Sequence, residues 1–123
     1  MDREPYVRDS VLVFKLCETE QAEGYISSLT FANLVYVMRR ELTPEKIRDV
    51  LGRLRMIFSF ADFSAADMVK AADMGWTDYE DAVQAATAER LQADCIITRN
   101  VRDFRASRVP VYTPAEFLAG YTP

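Results

Sequence analysis

Apolar residues recur along this chain at helical spacing, broken by short continuous apolar runs, and the alternation predicts a layered order. Over 6–22, Val7, Val11 and Phe14 fall at helical spacing with Leu12 and Leu16 beside them. Pro5 suits the first turn, where its missing N–H costs nothing, and Gly24 ends the segment. Tyr25-Ile26-Ser27 is a short strand, and Ser28 is placed to cap a helix over about 29–41. Phe31, Leu34, Val35 and Met38 give that helix one core face. Thr43-Pro44 is an N-cap followed by a first-turn proline, and Ile47, Val50, Leu51 and Leu54 form the stripe of a third helix. Met56–Phe60 reads as a strand. Ser64 and Asp67 then open a fourth helix with the stripe Ala65, Met68, Val69 and Ala72, stopped by Gly75.

The second half carries the most information. Thr77 and Glu80 have capping-box spacing for a fifth helix rich in alanine, which predicts close approach to a sheet and the deepest burial of any helix. Cys95-Ile96-Ile97 is a continuous apolar run, the mark of a strand covered on both faces, in a strand Cys95–Thr98. A polar turn follows. Val109–Tyr112 is a last strand, held to an edge because Pro110 cannot donate to a ladder. Thr113-Pro114 starts a short closing helix carrying Phe117 and Leu118. Helices alternating with short apolar strands imply an α/β domain with a mainly parallel sheet.

Composition narrows the class. The 123 residues, 50% of them hydrophobic, suit one domain over 1–123 with one core. No apolar run is long enough to span a bilayer, and the charged start MDREPYVRDS lacks a secretory core, so a cytoplasmic protein is expected. Cys17 and Cys95 have no CxxC spacing and read as buried free thiols. Histidine is absent, which excludes His-based triads and most zinc sites and leaves oxygen donors for any metal, hence Mg²⁺ or Mn²⁺. A net charge of −4 argues against nonspecific duplex binding by bulk charge.

Candidate chemistry concentrates between Thr77 and Phe104. If the fifth helix runs antiparallel to strand Cys95–Thr98, its start lies at the strand's carboxyl end, where open α/β sheets bind ligands. Asp81, one turn into the helix, then approaches Asn100 and Asp103 as an acidic, cation-dependent site. The bland alternative for Asp81 is a charge favoured by the helix dipole, and for Asp103 a turn residue. Asn33 follows strand Tyr25–Ser27 and is open to a structural hydrogen-bonding role as much as a ligand role. Thr98 and Ser28 could orient a carboxylate or water, or merely cap. Arg99, Arg102, Arg105 and Arg108 crowd the same turn, either as a solvated surface or as phosphate contacts beside the acids.

The pieces DYEDAVQAA, ADCIITRNVRDF and VPVYTPAEFL, with GYISSLTFANLVYVMRR earlier, resemble the PIN-domain family from about Arg3 to Leu118. Many of its members are ribonuclease toxins of bacterial toxin–antitoxin pairs. The resemblance implies a three-layer α/β/α domain whose three or four acids hold Mg²⁺ or Mn²⁺ to cleave RNA. By position, Asp81 and Asp103 match catalytic, metal-ligating acids. Asn100 stands where many members have aspartate and Asn33 where many have glutamate, so both are neutral supporting ligands. Arg99 and Arg102 are the RNA contacts, and an antitoxin or a second copy of the chain is the implied protein partner.

Members begin with a central strand ending in a ligating aspartate. This sequence opens inside the helix that follows such a strand, and neither Asp2 nor Asp9 stands in the motif. An upstream start, a noncatalytic remnant that binds a protein partner or RNA, and a strand supplied by a second copy are the three accounts left open.

Overall fold

A computed structural model describes residues 4–62 and 64–121, with the side chains of 4–8, 29, 31, 33 and 37 excepted. Among the described residues, six helices are joined by four short strands: α1 (Glu4–Glu18), β1 (Tyr25–Ser27), α2 (Ser28–Met38), α3 (Pro44–Ile57), β2 (Ser59–Ala61), α4 (Ala65–Met74), α5 (Tyr79–Arg90), β3 (Ile96–Ile97), a 3₁₀ turn (Val101–Phe104), β4 (Val111–Tyr112) and α6 (Pro114–Gly120). The mixed α/β order expected from the sequence is present, and every strand pair is parallel. β1 pairs with β2 and β3 with β4, as two two-stranded sheets among the described residues. The described chain forms two compact units, one of residues up to 13 and from 64 onward, the other of 14–62.

In the 14–62 unit, Thr43 caps α3 by accepting from the Lys46 N–H at 3.3 Å, with Pro44 in the first turn. Ile47 and Leu54 are buried, seven residues apart on one face. The helix runs on to Ile57, past the expected strand start, which leaves Met56 88% exposed. Ser28 does not cap α2. Ser27 Oγ accepts from the Thr30 N–H at 3.1 Å instead, and Ser28 Oγ donates to the Ala61 carbonyl on β2 at 3.2 Å. In α1 the buried positions are Val13 and Cys17, four residues apart, while Val11, Leu12 and Phe14 are about half exposed. Phe14 instead packs edge-on against Phe58, ring centroids 5.1 Å apart.

Gly24 marks the tightest approach in this unit. Its carbonyl accepts from the Ser59 N–H at 3.0 Å, and a β-carbon there would lie 2.6 Å from the Phe58 ring and 2.7 Å from Cys17 Sγ. Gly24→Ala is therefore expected to cost about 1–3 kcal/mol by forcing ring and sulfur apart, read as a lower urea midpoint at unchanged slope. Cys17 and Cys95 are both free. Burial pushes both thiols up, so each stays a protonated, unreactive group at neutral pH.

In the other unit, α4 and α5 pack face to face. Ser64 and Asp67 form the expected capping box of α4, and Gly75 closes the helix in the left-handed conformation at φ 69°. The expected core stripe of α4 is reversed. Met68 and Val69 are 42% and 64% exposed, and Ala65 and Ala72 are exposed with them, whereas Asp67 and Ala71 are buried. Two causes turn the helix. Asp67 is drawn to Arg90 and Thr87 on α5, and Ala71 lets the backbones close in on Ala82 and Val83. As expected, α5 is the most buried helix, with Ala82, Val83, Ala85, Ala86 and Thr87 all inside. Residues 95–98 are half-buried rather than covered on both faces, and among the described residues β3 pairs with β4 only. Thr113 and Glu116 form the capping box of α6. Among the described residues, no helix is long and apolar enough to cross a membrane.

Candidate active site

The site is built where α5 starts and the chain leaves β3. Asp78, not Thr77, caps α5: its Oδ1 accepts the Asp81 N–H at 3.0 Å. Both residues offer capping spacing, Thr77 to Glu80 and Asp78 to Asp81. The carboxylate prevails, consistent with its stronger, charge-assisted bond to a backbone N–H. Capping uses Asp78 and the Asp81 amide, so the Asp81 carboxylate is not part of the cap.

Asp81 is half-buried on α5, a helix in contact with the 3₁₀ segment 101–104, and is near enough to Asp103 to feel its charge. Its carboxyl is raised above the ordinary range. Burial is the largest cause, followed by the negative charges of Asp78, Asp103 and Glu80. Every cause acts in the same direction and none is a cation, so the site concentrates negative charge around one partly desolvated acid. A carboxylate kept for an ion pair is shifted the other way, and perturbation by burial plus specific charges marks functional-site candidates.

Asp103 is exposed in the first turn of the 3₁₀ segment, and its N–H reaches the Asn100 carbonyl at 3.0 Å. Asn100 precedes that segment without a capping side-chain bond, and its own N–H donates to Thr98 Oγ1 at 3.1 Å. Thr98 thus shapes the turn that carries both candidates. Buried Phe104 anchors the same turn through an edge-on contact with Trp76, centroids 5.8 Å apart. Arg99 and Arg102 are exposed on it. The structure therefore places Asp81, Asn100, Asp103, Arg99 and Arg102 at one end of β3. Asn33 belongs to α2 in the other unit, and its side chain lies outside the described residues.

The donors are oxygens, the type a hard cation takes, and their crowding is what a divalent ion would relieve. Among the described residues, however, no group of three or more His, Cys, Asp or Glu side chains is arranged to hold a metal. The set fits Mg²⁺ or Mn²⁺ in kind and falls short of a closed cage in number. Sequence reasoning missed two contributors: Asp78, masked by the Thr77–Glu80 pattern, and Trp76, which supports the turn from outside the motif.

Together these features define a parallel-stranded α/β protein with an acidic, oxygen-donor site at the carboxyl end of a strand. The chain belongs to the PIN-domain family, whose model matches residues 1–102. This is a nuclease-type family, RNA-binding and generally dependent on divalent metal. The match stops short of β4 and α6, although the sequence resemblance extends through VPVYTPAEFL. No curated protein and no solved structure matches the chain.

Proposed function

We propose that this chain is an endoribonuclease of the PIN family, of the toxin type held in check by an antitoxin protein. The observation that carries the reading is the meeting of half-buried Asp81 on α5 with the turn that carries Asn100 and Asp103, where burial and the neighbouring acids raise the Asp81 carboxyl. Asp81 and Asp103 hold the metal, with Asn100 as a neutral oxygen donor beside them. When bound, Mg²⁺ or Mn²⁺ supplies charge stabilisation at the phosphate being cleaved. Arg99 and Arg102 contact flanking phosphates and position the strand. The cytoplasm is the compartment in which such a protein meets RNA.

A second reading is a noncatalytic PIN-type module that binds RNA or a protein partner. It is favoured by the lack of any three-ligand metal group among the described residues. Cleavage of a mixed structured RNA pool with and without Mn²⁺ separates the two. The nuclease reading expects Mn²⁺-dependent cleavage that Asp103→Asn lowers by more than about 10–100-fold, the loss found when groups that merely orient metal ligands are removed. Binding without cleavage at any Mn²⁺ concentration leaves the noncatalytic module.

A further inference from the structure

One to two turns along α5 from Asp81 lies a cavity that the proposed chemistry does not use. Its volume is about 250 Å³, and Lys70, Met74, Trp76, Ala85, Glu89 and Arg108 line it. That is small beside the roughly 300–1,000 Å³ of pockets that enclose a drug-sized ligand, and it suits a single ring system. Asp81, Ala85 and Glu89 are four residues apart in turn, so they share one stripe of α5. At 1.5 Å per residue, Ala85 lies about 6 Å and Glu89 about 12 Å along the axis from Asp81. Neighbouring nucleotides of one strand span such distances.

We propose that this cavity is a subsite for a nucleotide of single-stranded RNA, its base against Trp76 and its phosphate between Lys70 and Arg108, next to the nucleotide at the acids. The inference rests on the ribonuclease reading and names where its substrate continues. Three features fit. Ala85 is 3% exposed and ends at its β-carbon, which leaves a floor rather than a filled space. Trp76 is half-buried, and aromatic side chains are the platforms on which unpaired bases stack.

The third feature is the charge. Glu89 Oε1 is 2.8 Å from Lys70 Nζ and 3.8 Å from Arg108 Nη1, so one carboxylate holds two cations at the rim and leaves a net positive charge. The Arg108 side chain is 82% exposed, and a pair that open adds little to folding. Its value is as a charge offered to solvent. The same helix stripe thus runs from negative at Asp81 to positive at the cavity, as a strand needs if a cation takes one phosphate and side chains the next.

The chain contains one tryptophan, so its fluorescence reports the surroundings of Trp76, the cavity and the Phe104 turn together, and the Arg108 variant assigns a change to the cavity. The intact chain, in EDTA to prevent cleavage, would be titrated with a single-stranded oligonucleotide of uncleavable 2′-O-methyl RNA. Saturable quenching of Trp76 is expected, with inorganic phosphate alone giving none. Arg108→Ala, an exposed change that leaves the fold intact, should weaken binding several-fold and reduce the salt slope by about 1. Trp76→Ala should weaken it about 10–100-fold, the value of one stacked base.

Because Trp76 also packs on the Ala71, Ala82 and Val83 cluster, the Arg108 variant carries the test if Trp76→Ala fails to fold. RNA that is bound by fluorescence anisotropy, or cleaved with Mn²⁺, without altering Trp76 emission overturns the subsite and leaves the ribonuclease reading standing. RNA neither bound nor cleaved overturns both. Quenching by an acidic peptide and not by RNA overturns the subsite in favour of a protein partner.

Discussion

Asp67→Ala will unfold at a clearly lower urea concentration, with a loss of about 3 kcal/mol. Asp67 is 3% exposed and serves two helices at once. Its Oδ2 accepts the Ser64 N–H at 3.0 Å and so closes the capping box of α4. Arg90 Nε donates from α5, 3.0 Å from both carboxylate oxygens. Thr87 Oγ1 lies 2.8 Å from the Val83 carbonyl and 3.3 Å from Oδ2, and its one proton serves mainly the first.

Loss of the hydrogen bond to the Ser64 N–H costs about 1 kcal/mol, and breaking a buried charge pair about 3–5 kcal/mol. The Arg90 side chain is 39% exposed and regains water, which brings the sum down to about 3 kcal/mol. Asp67→Asn keeps the capping acceptor and should lose about half as much.

The same residue fixes an acid limit. Burial by itself would raise the Asp67 carboxyl, but the bonds from Ser64, Arg90 and Thr87 outweigh it and hold the group below its ordinary value. A lowered folded value means that the stabilisation is complete above the unfolded value near ~3.9 and drains away as pH falls through the folded one. Wild type should therefore lose stability below about pH 4. Asp67→Ala should lose less across that window, as urea midpoints between neutral pH and pH 3 would show.

Asp81→Asn should move stability in opposite directions with and without a cation. The Asp81 carboxyl is raised, by burial first and by Asp78, Asp103 and Glu80 after it. A raised carboxyl lends stability below its unfolded value and loses it as pH rises through the folded one, so at neutral pH its charge is a net cost. In EDTA the variant should melt a few degrees higher than wild type. With Mn²⁺ the order should invert. Wild type gains RT ln(1 + [L]/Kd), about 2.7 kcal/mol at a hundred times Kd, and the variant gains nothing. The two thermal midpoints would cross as Mn²⁺ is raised. Equal shifts in both proteins would sink the metal-ligand role of Asp81, whatever the RNA assays show.

Much of the fold is legible in the residues because local rules act alone at helix ends. Thr43-Pro44, Ser64–Asp67 and Thr113–Glu116 each cap the helix their spacing predicts. Where two local signals compete, the stronger acceptor wins, as Asp78 does over Thr77. Faces are less legible than ends. The apolar stripe of α4 is real in the sequence, yet a buried ion pair and one small residue turn the opposite side inward, and hydrophobic periodicity carries neither fact. The pairing of Asp81 with Asp103 follows from chain direction: an antiparallel helix and strand bring start and finish together. The raised Asp81 carboxyl does not follow from it, since burial and the nearness of Asp78 are properties of the packed structure.

The alanines of α5 have a consequence for how the chain can vary. Ala82 and Ala86 meet the core almost at the backbone, with exposures of 0% and 1%. Where long side chains mediate a contact, a substitution can be absorbed by a new rotamer. Here there is no rotamer to change, so any larger residue lifts the helix itself. The helix is a fixed shelf with Asp81 at its front edge, and the depth of that carboxylate is set by main chain alone. Sequence drift that α1 and α3 can absorb in their side chains is closed to this helix. A valine at Ala86, little more than one turn from Asp81, would shift that carboxylate while keeping every residue of the candidate site.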